Sequence, residues 1–524
     1  MRTRSICWAV LMALALAAGA AAQGTTSRLV GQVSDTTGGI LPGVAVTLTN
    51  EGTGISFTTV TTGAGTYVFE ALPSGMYQVK FELQGFKTFT STGNRVVIGQ
   101  PTSVDAKMAP GDISETVQVT GKVETVQTTT SGNLGSVVDQ KTLEALPIVG
   151  TRGRNPLSLV TLQPGVVSGA NTGGGVHVNG ARDRSWNFTL DGIDTNETSA
   201  GGSNFSPLRT NPDALSEFKV LTGNTTAEFG RNSGGQVAMI TRNGTNQFRG
   251  TGFYFRRQPN LNANEWENNI DGLAKREFYQ DIYGFSIGGP IRKNKLFFFG
   301  NLQILRANQT QGVTRTVYTD AARRGNWRYV IGGRNQPAGS ASASVDASGN
   351  VLPGIQVGTY SIPANDPQGL GLNQAIQQLL AKAPLPNNFN IGDGLNTAGY
   401  TFNASEDEEQ YDSTVRVDWA SNNRHYFYGR VSWGQQNTIC DSVNGGLERF
   451  PGTGCVVNTY RTPFNYAASW RWNPSGNIVN EFVFGQNHFF FDFQIPTADP
   501  KVYTYDGAPV TLPEIYTFGN KRTL

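Results

Sequence analysis

The chain has 524 residues with 41 Lys and Arg against 39 Asp and Glu, which gives a net charge of +2 at pH 7. Because this balance comes with no long basic run, the sequence has no electrostatic footprint for a nucleic acid or another polyanion. It contains 64 Gly, and Thr, Asn and aromatic residues are frequent, while only 15% of the residues are charged. This composition favours strands and turns over helices. We therefore expect a chain dominated by β-structure and divided into several domains.

The N-terminus predicts a signal peptide over residues 1–22. Arg2 and Arg4 precede a short apolar stretch at 8–16, and small residues at 20–22 precede Gln23. The apolar stretch is too short to span a bilayer, and no later stretch approaches the roughly 18 continuous apolar residues that a membrane helix requires. The chain is therefore expected to be exported, with Cys7 removed, and an inner-membrane helical protein is excluded.

Residues 26–110 predict a small β-sandwich. Short apolar runs at 29–33, 44–48, 66–69 and 77–81 alternate with Gly- and Pro-rich turns. The pattern of Gly31-x-Val33, 41–46, 65–69 and 72–77 resembles the carboxypeptidase regulatory-like, or carbohydrate-binding-like, domain. That resemblance implies a non-catalytic module ahead of a transporter. An unrelated sandwich spacer is the alternative.

Residues 111–135 predict an extended linker, because Thr, Ser, Gln and Val dominate with no sustained apolar pattern. One hexamer within the linker alternates β-branched and polar residues, so it could add as a strand to the sheet edge of another protein. It resembles the TonB box, and this implies the energy-coupling protein TonB as a periplasmic partner. The hexamer consists of Glu115, Thr116, Val117, Gln118, Val119 and Thr120.

Residues 136–246 predict an α+β plug. The stretch 179–192 resembles the plug signature, in which a small basic turn leads into a strand that ends in Asp-Gly, and 215–223 with 228–241 resemble its remainder. One departure is that Gln236 and Val237 replace the usual Asn after the glycine pair. We expect the charged members to pair with charges facing a barrel lumen, with ordinary solvation as the alternative. The candidate plug residues are Arg182, Arg184, Asp191, Gly192, Glu228, Arg231, Gly234 and Gly235.

The mature chain has two cysteines, Cys440 and Cys455, which are close enough in sequence to close a small loop in an oxidising compartment. We predict a disulfide, with two free thiols or a metal pair as alternatives. No His lies beside both cysteines, so a zinc site is not expected. We expect no metal and no cofactor elsewhere in the chain.

Residues 247–524 predict the first strands of an antiparallel transmembrane β-barrel. From Gln410 onward polar and apolar residues alternate, with Arg416 among the polar set and Trp419 among the apolar set, and the alternation returns over 464–473. A charged side chain facing lipid costs roughly 2–4 kcal/mol, so the polar face must line the lumen. A soluble array of sandwiches is the alternative. Candidate strands are 248–257, 280–290, 295–306, 409–419, 424–435, 464–473 and 477–487.

The connections between these strands alternate in length. Those at 290–295, 420–423 and 473–477 are tight turns, whereas 258–279, 307–408 and 436–463 are long, and 373–382 could form a short helix. Outer-membrane barrels keep their short turns in the periplasm and their long loops outside. We therefore place the N-terminal domain in the periplasm of a Gram-negative cell.

Residues 288–300 resemble the Oar-like branch of the TonB-dependent outer-membrane receptors, which implies a plugged barrel. Plugged barrels use about 22 strands, so seven strands indicate an incomplete barrel and an N-terminal fragment. The resemblance implies energised uptake of a nutrient, an oligosaccharide or a siderophore, by a protein embedded in outer-membrane lipid. Residues of the long loops would contact the ligand.

Two other functions have to be weighed against transport. The first is a carbohydrate-binding or adhesion protein of the cell surface, in which Tyr67, Phe69 and Tyr77 could stack against sugars, although aromatic residues on alternating strands more often belong to the core. The second is an enzyme using Ser185, His177 and Asp191. These three residues form no nucleophile elbow and have no evident orienting partner, so we expect no catalysis.

Overall fold

The chain folds into a β-sandwich, a plug and a long-stranded antiparallel sheet. The structure is a computed structural model, and the predicted signal peptide lies outside the residues it describes. Those residues are 25–113, 116–120, 134–139, 142–143, 154–168, 176–182, 185–196, 210–225, 230, 234–270, 272, 274–338, 340–475, 478–494, 503–505 and 508–510.

The sandwich consists of two sheets that enclose one apolar core. The first sheet has the order β4-β1-β7, with β8 also paired to β1, and the second has the order β3-β2-β5-β6-β9. Alternate residues of β4 and β5 point inward, and Leu29, Leu48 and Phe81 are fully buried between the sheets. The strands are β1 (Ser27–Asp35), β2 (Ala45–Asn50), β3 (Ser56–Val60), β4 (Thr66–Leu72), β5 (Gly75–Glu82), β6 (Thr88–Val96), β7 (Thr102–Ser103), β8 (Ala106–Met108) and β9 (Thr116–Thr120).

The three aromatic residues considered as sugar platforms belong to this core. Tyr67, Phe69 and Tyr77 are 2%, 6% and 1% exposed. The Tyr67 hydroxyl donates to the carbonyl of Val104 at 2.6 Å, and burial raises the pKa of this hydroxyl above its ordinary range. The core role expected for aromatic residues on alternating strands is therefore confirmed, and the alternative that these rings stack against sugars is wrong, because the sandwich itself covers their faces.

Part of the predicted linker is paired with the sandwich. Strand β9, within the predicted linker, pairs in parallel with β6, with Val117 opposite Phe89 and Val119 opposite Ser91. The hydroxyl of Thr88 also donates to the carbonyl of Ile113 at 2.6 Å, which secures the approach to the strand. An apolar pattern was not needed for this pairing, because the parallel ladder uses backbone groups.

The plug is a five-stranded mixed sheet with the order β10-β15-β16-β13-β14, in which only β13 and β16 run parallel. Every residue of β13 and β16 is buried, because both faces of the sheet are covered. Its strands are β10 (Leu134–Asp139), β11 (Val166–Ser168), β12 (Val176–Val178), β13 (Asn187–Leu190), β14 (Ile193–Asp194), β15 (Leu215–Gly223) and β16 (Gln236–Thr241), with 3₁₀ helices at Pro156–Leu162 and Pro212–Ala214.

A seven-stranded antiparallel sheet follows, with the order β17-β18-β19-β22-β23-β24-β25. Its strands and those of the loops are β17 (Arg249–Arg257), β18 (Phe278–Arg292), β19 (Leu296–Tyr318), β20 (Asn326–Val330), β21 (Val357–Ser361), β22 (Thr397–Asn422), β23 (His425–Ile439), β24 (Asn458–Ser475), β25 (Ile478–Gln494), β26 (Tyr503–Tyr505) and β27 (Ala508–Val510).

This sheet buries its polar face and exposes its apolar face. In β22, Arg416 and Asp418 are 8% and 0% exposed, whereas Val415, Val417 and Trp419 are 39–47% exposed. Strand β24 repeats the pattern, with buried Asn465, Ser469 and Arg471 and exposed Phe464, Trp470 and Trp472. Water would favour the opposite arrangement, so the exposed face is suited to lipid.

All seven predicted strands exist, but the longest are longer than predicted. Residues 307–318 and 397–408, predicted as loop, continue β19 and β22 and pair residue by residue from Ala307 with Glu408 to Tyr318 with Thr397. The apolar outer face ends here, since Asp407 and Glu409 point outward, and the polarity alternation that marks a membrane strand is lost. The short turns at 293–295 and 423–424 lie at the same end of the sheet as the sandwich.

The loop elements lie at the opposite end. Helix α3 begins after Asn373, whose side chain accepts hydrogen bonds from the backbone of Ala375 and Ile376, as the sequence predicts for 373–382. No helix in the described part of the chain is both long and apolar enough to cross a membrane. The helices are α1 (Trp266–Ile270), α2 (Asp320–Arg323) and α3 (Gln374–Lys382), with 3₁₀ helices at Pro259–Leu261, Pro363–Asn365 and Ser442–Asn444.

The glycine pair before β16 allows a close approach rather than only a turn. A Cβ at Gly235 would overlap the ring of Trp186, and a Cβ at Gly234 would overlap the carbonyl of Ser185. Trp186 is 1% exposed and stacks with Phe188 in the plug core. Glycine at these positions therefore lets β16 pack directly on the tryptophan.

We predict that Gly235→Ala destabilises the plug by about 1–3 kcal/mol, because the added methyl group has to displace the Trp186 ring. The measurement is the urea midpoint of Trp fluorescence for the purified protein. Gly252→Ala is the matched control, since a Cβ at Gly252 meets no atom within 4 Å. Equal midpoints for the two variants would contradict the close-packing role.

Candidate functional site

The plug contacts the sheet through the turn between β13 and β14. Asp191 and Gly192 form this turn with φ of 50° and 78°, a left-handed conformation that Asp and Gly tolerate. The Asp191 carboxylate is 1% exposed. It accepts hydrogen bonds from the backbone N–H of Thr241 at 2.9 Å and from the Thr241 hydroxyl at 2.8 Å. The turn is thereby fixed to the last residue of β16.

Two arginines of the sheet neutralise this carboxylate. Arg430 Nε lies 2.6 Å from Asp191 Oδ2, and Arg416 Nη1 lies 3.5 Å from Oδ1. Arg430 Nη2 also donates to the carbonyl of Leu190 at 3.3 Å, and Arg416 Nη1 donates to the carbonyl and the hydroxyl of Thr241 at 3.4 and 3.0 Å. Both guanidinium groups therefore bind the plug through its backbone as well as through its charge.

A second carboxylate completes the cluster. Asp418 is fully buried and lies 2.9 Å from Arg416 Nη2, and it accepts a hydrogen bond from the Tyr426 hydroxyl at 2.9 Å. The Arg416 guanidinium carbon also lies 4.3 Å from the centroid of the Tyr428 ring. We call Asp191, Arg416, Asp418 and Arg430 the plug–sheet ion cluster. Two positive and two negative groups make the cluster neutral, which makes its burial tolerable.

The sandwich contacts the plug through a pair of buried charges on β15. The backbone N–H of Ile98 donates to Glu217 Oε2 at 3.1 Å, while Lys219 Nζ donates to the carbonyls of Ile98 and Gly99 at 3.0 and 3.1 Å. The Ile98 side chain packs against two residues of β16, Ala238 and Ile240. We call this arrangement the sandwich–plug contact.

The sandwich also contacts the sheet directly. Arg471 of β24 donates to the carbonyl of Ala71, and its guanidinium carbon lies 5.3 Å from the centroid of the Phe57 ring. Glu481 of β25 accepts hydrogen bonds from the hydroxyls of Thr25 and Thr26 at 3.2 and 3.0 Å. A narrow cleft therefore lies where the three parts meet. Its lining includes Thr25, Pro73, Asp191, Thr241, Arg416 and Arg471.

Several of the predicted site residues are not described by the structure. Glu115, Arg184, Glu228 and Arg231 lie outside the described residues, and Arg182 is exposed. Among the predicted plug residues that the structure describes, Asp191 forms ion pairs with the sheet. The pairing of Arg184, Glu228 and Arg231 with charges of the barrel stays a prediction.

At the loop end of the sheet, Cys440 and Cys455 form a disulfide that closes a loop of sequence separation 15. The adjacent Asp441 is fully buried and accepts hydrogen bonds from the Val443 backbone at 3.0 Å and from the Thr459 hydroxyl at 2.6 Å. The loop therefore has a fixed base.

Hydrogen bonds to the Asp393 carboxylate also hold the long loop after β19. Burial would raise the pKa of the Asp393 carboxyl, but hydrogen bonds from the backbone of Thr397 and Asn396 outweigh burial and lower the pKa. The hairpin of β20 and β21 leaves Trp327, Tyr329 and Tyr360 between 38% and 52% exposed. The loop end therefore offers aromatic surface on a rigid support.

The residues considered for catalysis do not assemble. His177 Nδ1 contacts the carbonyl of Ala181 at 3.0 Å, while the Asp191 carboxylate is engaged by Thr241 and the two arginines. Among the described residues no hydrogen bond joins Ser185, His177 and Asp191.

Comparison with known proteins decides the family. Residues 240–519 match the family described as outer membrane beta barrel domain, 135–237 match the TonB-dependent receptor plug domain, and 28–109 match the carboxypeptidase regulatory-like domain. The chain belongs to the TonB-dependent outer-membrane receptors. It is thus a protein of the outer membrane with its N-terminal domain on the periplasmic side, and its family is a non-enzymatic receptor family.

Two curated relatives are similar to parts of this receptor. The TonB-dependent transporter Oar of Myxococcus xanthus is 29% identical over 300 residues, which are 55% of this chain and 28% of Oar. The probable TonB-dependent siderophore receptor PirA of Acinetobacter baumannii is 26% identical over 288 residues, which are 50% of this chain and 35% of PirA. The receptor chain therefore spans about a third of the length of these relatives.

Solved structures give weaker similarities. The crystal structure of the siderophore receptor PirA from Acinetobacter baumannii has a TM-score of 0.38 and 15% identity, covering 68% of this chain and 40% of that one. The ferric preacinetobactin receptor BauA from the same organism has a TM-score of 0.32 and 11% identity, covering 74% and 52%.

The sequence prediction missed several residues of this receptor's interfaces. Arg430 lies in a predicted strand on the same face as Ser432, so its lumen-facing position could have been read from the alternation. Glu217 and Lys219 lie in the matched plug block, where two charges at i and i+2 on an apolar strand signal a buried polar contact. The pairing of Arg430 with Asp191 carried no sequence signal, because 239 positions separate the two residues.

We predict that Asp191→Asn destabilises the plug by about 3–5 kcal/mol, because it leaves Arg430 buried without its countercharge. Adding Arg430→Met to Asp191→Asn should recover part of the loss. The measurement is the urea midpoint of plug unfolding in the purified receptor for both single variants and the double variant.

The control for this cycle is Arg306→Met, which removes an ion pair with Glu409 whose side chains are 65% and 58% exposed. It should cost less than about 1 kcal/mol. Additive losses in the Asp191 and Arg430 cycle would show that the two residues are not energetically coupled.

Proposed function

We propose that this receptor takes up a nutrient across the outer membrane, using energy that TonB delivers through the segment 115–120. The observation that carries the proposal is the plug–sheet ion cluster. A plug fixed by one neutral, hydrogen-bonded cluster to a polar wall is stable at rest. The apolar part of this contact is small, since it consists of Ile193 against Tyr428, Ala467 and Val483, so the plug can leave the wall while exposing little apolar surface to water.

The proposed organisation follows the predicted boundaries. Residues 26–110 form the sandwich, which β9 extends, 111–135 carry the coupling segment, 136–246 with the start of β10 at Leu134 form the plug, and 247–524 belong to the barrel. We infer that ligands are captured at the loop end, where the disulfide-closed loop and the hairpin of β20 and β21 lie. We favour a siderophore as the ligand class, because the chain is similar to PirA, a probable siderophore receptor. An oligosaccharide is the alternative. No catalytic step is part of the proposal.

The coupling test is binding of the purified receptor to the periplasmic domain of TonB. Strand addition uses backbone N–H donors, which proline lacks. Adjacent residues of a strand direct their donors to opposite edges, so the double variant Val117→Pro/Gln118→Pro removes a donor from the partner's edge in either orientation. The matched control, Val117→Thr/Gln118→Thr, keeps both donors and the tendency to form a strand.

We predict that the proline variant binds TonB at least about tenfold more weakly, which corresponds to roughly 1.4 kcal/mol, while the threonine variant binds like the unmodified receptor. Isothermal titration or biolayer interferometry measures both. Equal binding by the two variants would exclude this segment as the coupling site. The adhesion hypothesis would then be preferred.

A further inference from the structure

The coupling segment is already a strand of the sandwich. Strand β9 pairs with β6 from Thr88 opposite Thr116 to Thr92 opposite Thr120. It is the last strand of the five-stranded sheet, and among the described residues no strand pairs with its outer edge. An unpaired edge presents a row of backbone donors and acceptors to any incoming strand.

The side chains of β9 are also accessible to an incoming strand. Val117 and Val119 are 41% and 44% exposed, so one face of the strand is only half covered. In a parallel pair, alternate residues direct their backbone groups to one neighbour and the intervening residues direct theirs to the other. About half of the backbone groups of β9 are therefore used by β6, and the rest face outward.

The body that holds β9 is itself fixed. The sandwich–plug contact joins Ile98 to Glu217 and Lys219, which are each 4% exposed. On the other side, Arg471 and Glu481 join the sandwich to the sheet. The edge offered by β9 is consequently held at a defined position at the periplasmic end of the receptor.

We propose that the partner strand adds to the outer edge of β9 while β9 stays paired with β6. The sandwich, and not a free linker, is then the body on which the energy-coupling protein pulls, and the sandwich–plug contact passes the force to β15. The inference rests on the proposed function, since it takes TonB as the partner. It adds a role for the sandwich, which becomes part of the coupling sheet.

Hydrogen exchange of the receptor, followed by mass spectrometry with and without the periplasmic domain of TonB, tests the proposal. Peptides covering 116–120 should gain protection, while peptides covering 88–92 should keep the protection they have in the free receptor. Loss of protection at 88–92 together with a gain at 116–120 would overturn the inference, because the partner would then have taken β9 away from β6. That outcome would leave the proposed function intact.

A second outcome separates the failure of the two proposals. If interferometry detects no complex and protection at 116–120 is unchanged, the proposed coupling through this segment fails. The inference that TonB adds to the outer edge of β9 then fails with it.

Two single variants sharpen the test, because Val117 and Gln118 direct their donors to opposite edges. The proline that removes a donor facing β6 should reduce the protection of 116–120 in the free receptor. The proline that removes a donor facing outward should keep that protection and weaken TonB binding by about tenfold. If both variants lose TonB binding while both keep the protection of 116–120 in the free receptor, β9 does not pair with β6 and with the partner strand at the same time, and the inference is overturned.

Discussion

The structure depends on one constraint, that a strand in contact with lipid has to direct its polar side chains to the other face of the sheet. In β22 this places Arg416 and Asp418 inward and Val415 and Val417 outward, and β24 follows the same rule with Arg471 and Trp470. A shift of one residue would reverse every side chain, so the register is strongly determined. The polar inner face is what makes a charged plug contact possible.

The interfaces of the plug follow from that face. Charges that have to face inward need partners there, and Asp191 supplies one to Arg416 and Arg430. Because each charge of the cluster is compensated, specific polar contacts bind the plug, together with one small apolar contact of Ile193 with Tyr428 and Ala467. The sandwich uses the same chemistry, with Glu217 and Lys219 binding the backbone of Ile98. Polar contacts of this kind can separate and re-form, which is compatible with the uptake that we propose.

Sequence patterns predicted the fold well and the contacts poorly, for physical reasons. Alternation of polar and apolar residues located all seven strands, because lipid selects for it. It failed beyond residue 307 of β19 and before residue 409 of β22, where Asp407 and Glu409 point outward and Val313, Phe402 and Ala404 are buried, so the polar-inward, apolar-outward alternation no longer holds. The helix at 374–382 was predictable because Asn373 is a local cap. The partners of Asp191 and Ile98 were not, since contacts between distant residues leave no local pattern. The docking of β9 was missed because its ladder uses backbone groups that every residue has.

The most direct test of the account is a measurement of what the two faces of β22 contact. A nitroxide label placed in turn at Thr414, Val415, Val417, Trp419 and Ala420 of the receptor in lipid vesicles would report collision rates with oxygen and with a water-soluble nickel complex. The account predicts high oxygen and low nickel accessibility at 415, 417 and 419, and low accessibility to both at 414 and 420. High nickel accessibility at 415, 417 and 419 would place that face in water and contradict a membrane-spanning sheet.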